Sequence, residues 1–125
     1  MDGYAVLRGL RILIVEDEPL IALDLETAVV DHLGVVVGPA NTIAGALQLI
    51  ADGDVHGAII DLRLKDALAM PVAERLIADR TPFVIHSGQA DSSIADAWPT
   101  VPIVGKPAAP EAVIAALVAA IRDRQ

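Results

Sequence analysis

The 125-residue chain has no cysteine. Disulfide frameworks, thiolate metal centres and thiol nucleophiles are excluded, and the lack agrees with a reducing compartment, so a cytoplasmic location is expected. Aromatic residues are nearly missing as well: Tyr4, Phe83 and Trp98 are all there are. With 54% of residues hydrophobic, a core must be built from Ala, Val, Leu and Ile, and a disordered chain is ruled out. Cations are scarce, with 9 Lys and Arg against 17 Asp and Glu for a net charge of −8. That balance argues against nucleic-acid phosphates or an anionic membrane surface as a direct partner. Apolar runs such as Val35 to Val37 fall far short of the roughly 18 residues of a spanning helix, and Met1 to Leu10 lacks the pattern of a secretory leader. No membrane insertion is expected.

The length suits one domain. Residues 1–10 are expected to form an arm leading into the first strand, and 11–125 the domain itself. Arg11-Ile12-Leu13-Ile14-Val15, stopped by Glu16-Asp17-Glu18, has the composition of a strand buried on both faces. Val35 to Val37, Ala58 to Ile60, Phe83 to Ile85 and Val101 to Val104 resemble it, the last moved towards an edge by Pro102. Between these runs lie segments of helical spacing. One opens at Pro19 and is expected to end at Gly34; one is capped by Asn41 or Thr42; one starts at Pro71; a short one spans Ser92 to Ala97; the last begins at Pro110-Glu111. Strands alternating with helices predict an α/β fold, a parallel sheet covered on both sides by right-handed crossovers.

Ligands of such sheets bind beyond the carboxyl ends of the strands. The first strand ends at Glu16-Asp17, the third at Asp61, the fourth at Ser87-Gly88 and the fifth at Lys106-Pro107. Three carboxylates gathered at one edge repel one another and favour a hard divalent cation such as Mg²⁺. An aspartate there can also act as a nucleophile towards phosphorus, with Lys106 and the Ser87 hydroxyl stabilising charge on the transferred group.

These spaced elements, Ile14-Val15-Glu16-Asp17-Glu18, Asp61, Ser87-Gly88 and Lys106-Pro107, resemble the receiver domains of two-component response regulators over Arg11 to Arg122. The resemblance implies a flavodoxin-like, doubly wound five-stranded parallel sheet of order 2-1-3-4-5 with about five helices. It implies Asp61 as phosphoacceptor, Ser87 as switch hydroxyl and Lys106 as the ion pair to the phosphoryl group. Mg²⁺ (or Mn²⁺) would be held by Asp17, Asp61 and the backbone carbonyl of Arg63, with Glu16 acting through a water. A cis bond at Lys106-Pro107 is also implied.

The sequence departs from the usual receiver pattern in three ways. Ile103 occupies the position of the aromatic switch residue. Pro71, which opens the third helix, comes ten positions after Asp61, leaving a long loop from Leu62 to Ala69 that contains Asp66. Ser87 and Lys106 are 19 positions apart, which shortens or partly unwinds the fourth helix. These features are similar to the atypical alphaproteobacterial single-domain receivers named for a Phe-Ala-Thr-Gly motif, which Ile85-His86-Ser87-Gly88 reproduces in part.

The function expected is that of a stand-alone regulator, because the chain ends at Gln125. A sensor histidine kinase or histidine phosphotransfer protein would phosphorylate Asp61, and the signal would pass to a downstream protein by binding or phosphotransfer. The protein would be a monomer or weak homodimer, and no conventional enzyme beyond its own phosphorylation and dephosphorylation. The alternative is a receiver-like binding module that works without phosphorylation. A phosphatase is disfavoured because position 63 is Arg where a second Asp would be needed. Ile114 and Val118 widen the apolar arc of the last helix, either as a broad buried face or, with Ile103 and Trp98, as a docking patch. His32, His56 and His86 share no metal-ligand spacing, and alternation points His86 away from the side of Ser87.

Overall fold

The β-branched run at the start of the domain forms strand β1 (Arg11–Val15), which lies between β2 (Val35–Ala40) and β3 (Gly57–Ile60), parallel to both. The computed structural model describes residues 6–65, 67–88 and 96–123. Beyond β3, the sheet continues through β6 (Phe83–Ser87) to β7 (Ile103–Gly105), also parallel. The five-stranded order β2-β1-β3-β6-β7 is the expected 2-1-3-4-5. Every residue of β3 and β6 is buried, as a strand covered on both faces requires.

Alternation divides the core. Leu13, Val15, Ala58, Ile60, Phe83 and Ile85 face helices α2 (Ile43–Asp52) and α3 (Met70–Ala78). Ile12, Ile14, Ile59 and Val84 face α1 (Pro19–Asp31) and α4 (Pro110–Asp123), and Leu7, fully buried, packs on this side too. Helix α2 starts as its cap predicts, with Thr42 Oγ1 accepting the Gly45 N–H at 3.0 Å.

Four differences from the sequence expectations are informative. Helix α1 stops at Asp31, and the positive φ of the exit falls on Leu33 (65°), not on Gly34. Gly34 is needed for close approach: a Cβ there would stand 2.8 Å from Val29 Cγ1 and 3.1 Å from Leu7 Cβ. Strand β2 runs on to Ala40 past a cis Gly38-Pro39 bond, with Gly38 at φ 99°. The long loop after Asp61 contains a two-stranded antiparallel hairpin, β4 (Arg63–Leu64) with β5 (Ala67–Leu68). Finally, Ile114 is a correction: it is 2% exposed and belongs to the core beside Leu7, so the wide apolar arc of α4 is buried there and is not a surface patch.

Among the described residues there are four helices, and none is long and apolar enough to cross a membrane. The expected short helix over Ser92 to Ala97 lies mostly outside the described residues, as does Asp66.

Candidate functional site

Parallel pairing brings the strand ends together. The Glu16 N–H donates to the Ala40 carbonyl at 3.0 Å, and the Asp61 N–H to the Val15 carbonyl at 2.9 Å, which continues the ladder one residue past β1 and β3. Glu16 and Asp61 therefore emerge side by side. Glu16, Asp17 and Asp61 each offer an oxygen within 4.8 Å of the others. On the other side of β3, the Lys106 N–H donates to the Ser87 carbonyl at 2.7 Å, fixing the turn after β7, where the Lys106-Pro107 bond is cis.

The Lys106 ammonium lies 2.9 Å from Asp61 Oδ2, to which it donates, and 2.9 Å from Glu16 Oε1. The second contact is an ion pair of the same length. Burial pushes the Glu16 carboxyl above its ordinary 4.5; the Asp61 charge adds to the rise, and Lys106 and the Glu18 N–H oppose it. Burial pulls Lys106 down, but its bonds to Glu16 and Asp61 outweigh this and hold it above 10.5. Backbone donors complete the frame. The Arg63 N–H donates to Asp61 Oδ1 at 3.0 Å, the Glu18 N–H to Glu16 Oε2 at 3.3 Å, and the Lys65 N–H to Asp17 Oδ2 at 2.7 Å.

Glu16, Asp17, Asp61 and Lys106 thus stand together at the carboxyl edge. Ser87 ends β6, buried, on the face of Ile85, and Arg63 opens the hairpin two residues beyond Asp61. The four residues expected to share a docking patch do not share a face. Trp98 is half-buried against the α2–α3 core; Ile103, opposite Ile85, is exposed; Val118 packs against the other core with Ile114.

The histidines are scattered. His56 Nδ1 accepts the Arg11 N–H at 2.8 Å, and His32 Nε2 lies 2.7 Å from Glu111. His86 is 4% exposed, borders a crevice of about 480 Å³ with Ile21, Leu25, Lys106 and Pro107, and has neither ring nitrogen hydrogen-bonded. Its orientation is the one alternation requires. The Lys65 contact was invisible in sequence, because a backbone donor leaves no residue-type signature.

A doubly wound sheet with clustered acids and a paired lysine at its carboxyl edge is the architecture of a receiver domain. Similarity to solved structures agrees. SdrG from Sphingomonas melonis Fr1 is 38% identical, with a TM-score of 0.72 over 91% of this chain and 97% of its own. A response regulator receiver protein from Sinorhizobium medicae WSM419 is 27% identical, with a TM-score of 0.83 over 95% and 99%. The response regulator PhyR from Brucella abortus is 28% identical, with a TM-score of 0.79, and the chain matches 51% of its length. No protein-family model matches, and neither does any curated protein. The chain belongs to the response-regulator receiver family of two-component systems.

Proposed function

We propose that the protein accepts a phosphoryl group on Asp61 from a phosphohistidine of a sensor kinase or phosphotransfer protein, in a Mg²⁺-dependent reaction. The observation that carries this is the half-buried Lys106 ammonium paired with Asp61, beside two further carboxylates. The residues fit the cation. Glu16, Asp17 and Asp61 each offer an oxygen within 4.8 Å of the others, and the charge of Asp61 adds to burial in raising the Glu16 carboxyl, a crowding of negative charge that a divalent ion relieves. Asp17, Asp61 and the Arg63 carbonyl would hold Mg²⁺ or Mn²⁺, with Glu16 reaching it through water. When bound, the ion supplies charge neutralisation to the phosphoryl oxygens.

The chain's own groups do the rest. An Asp61 carboxylate oxygen attacks phosphorus, the P–N bond of the donor breaks, and its electron pair stays on the departing imidazole. The Arg63 N–H holds Asp61 Oδ1, which orients the nucleophile. Lys106 pairs with the phosphoryl oxygens, and the Ser87 hydroxyl donates to one of them. The Lys106 N–H, bonded to the Ser87 carbonyl, keeps the two residues side by side at the sheet edge. The segment from Gly88 to Pro99, which the sequence marks as the part that responds to phosphorylation, has residues 89–95 outside the described part. Ile103, with no ring to flip, is exposed on β7 and serves as surface presented to a partner. The 36% identical SdrG from Pseudomonas melonis Fr1 has a BeF3-activated conformation, which supports a phosphoryl-driven switch here.

Intact mass after incubation with Mg²⁺ and acetyl phosphate tests the reading. One phosphoryl adduct is expected, lost in Asp61→Asn and lost with chelator. No adduct, repeated with candidate kinases, would replace it with a binding module that works without phosphorylation.

A further inference from the structure

The spacing between Asp61 and Pro71 makes room for the β4–β5 hairpin, and the hairpin reaches back to the acidic site. Arg63 pairs with Leu68 and Leu64 with Ala67, the Ala69 N–H closes the base on the Leu62 carbonyl at 2.7 Å, and the buried Leu64 side chain pins the strand to the α2–α3 core. This anchoring puts the turn residue Lys65 against the end of β1, 48 positions away, where its N–H donates to Asp17 Oδ2 at 2.7 Å. A short bond from an N–H to a carboxylate is a strong one. The hairpin and the start of α2 also enclose a crevice of about 370 Å³ bordered by Asp17, Asn41, Thr42, Leu64 and Lys65.

The other two acids of the cluster are fixed by their own surroundings. Asp61 is held by Arg63 and Lys106, and Glu16 by Glu18 and Lys106. Asp17 is half-buried at a strand exit, and among the described residues its donor is the Lys65 N–H.

We infer that the backbone N–H of Lys65 is the positioning group for Asp17, holding its carboxylate in the rotamer that faces Glu16 and Asp61 and so setting the affinity of the site for a divalent cation. The role belongs to the amide and not to the lysine ammonium. It rests on the metal-dependent reading above.

The test compares Lys65→Ala, which keeps the donor, with Lys65→Pro and with an amide-to-ester replacement at Lys65, which remove it. The ester keeps the side chain and the freedom of the backbone, so it covers the case in which proline disrupts the hairpin. Cation affinity is measured by Mn²⁺ electron paramagnetic resonance with Mg²⁺ competition, and needs no phosphorylation. The alanine variant is expected to bind as the wild type does, and the ester and proline variants to bind about tenfold more weakly, the usual scale for losing a group that orients a ligand. An ester variant that binds as tightly as Lys65→Ala overturns the inference, whatever proline does. Wild-type protein that takes up no Mn²⁺ overturns the metal-dependent reading itself, and this inference with it.

Discussion

Lys106 sits between two carboxylates, 14% exposed, and its absence would leave Glu16 and Asp61 facing each other in a buried site. Breaking a buried ion pair by removing one partner costs about 3 kcal/mol. Lys106→Met is therefore expected to destabilise the protein by that order near neutral pH. The loss should shrink in mild acid as Glu16, already raised by burial, takes up a proton. Urea unfolding at the two pH values checks this.

His86 titrates the other way. Burial first, then the Lys106 charge, pushes its imidazole below 6.5, and Asp61 only partly opposes them. Between that lowered value and 6.5 the unfolded chain binds more protons than the folded one, so stability falls as pH falls through the window. His86→Leu removes this dependence and two buried nitrogens without partners. Denaturant curves from pH about 7 to about 5.5 should show wild type losing stability relative to the variant. Equal slopes would contradict the assigned environment.

At the scale of elements, the strands and most helix starts could be read directly, since burial on both faces gives β1, β3 and β6 short apolar runs without polar alternation at Ile12 to Val15, Ala58 to Ile60 and Phe83 to Ile85. Thr42 and Pro110 announced their helices by side-chain chemistry that acts locally. What could not be read depends on contacts made across the fold. Glycine tolerates positive φ, which points to Gly34 as the exit of α1, yet Leu33 takes that conformation and Gly34 leaves room for Val29 and Leu7. Gly34→Ala should accordingly cost about 1–3 kcal/mol, the range for overpacking, measurable by thermal unfolding. The residues of β4 and β5 showed only a long loop, because a pair of two-residue strands has no period to detect. Ile114 belongs to the buried cluster that includes the arm residue Leu7, a contribution from outside the helix that its own periodicity does not reveal.

For the molecule as a whole, the site was legible because four short motifs fall in order at strand ends, a pattern no single Asp or Lys carries alone. Its cost is also a property of the whole: a chain of net charge −8 concentrates three acids at one edge. A cation that binds only the folded state stabilises it, by about 2.7 kcal/mol at a hundredfold excess over Kd. Mg²⁺ should thus raise the unfolding midpoint beyond what sodium chloride does at equal ionic strength, and Asp17→Ala should remove the difference.

The central claim concerns one carboxylate, and borohydride trapping addresses it directly, since reduction of an aspartyl phosphate leaves homoserine at the modified position. Protein treated with acetyl phosphate and Mg²⁺, reduced, digested and sequenced by mass spectrometry should carry homoserine at position 61. Homoserine at another aspartate, or none at position 61 despite a phosphoryl adduct, would contradict Asp61 as the acceptor.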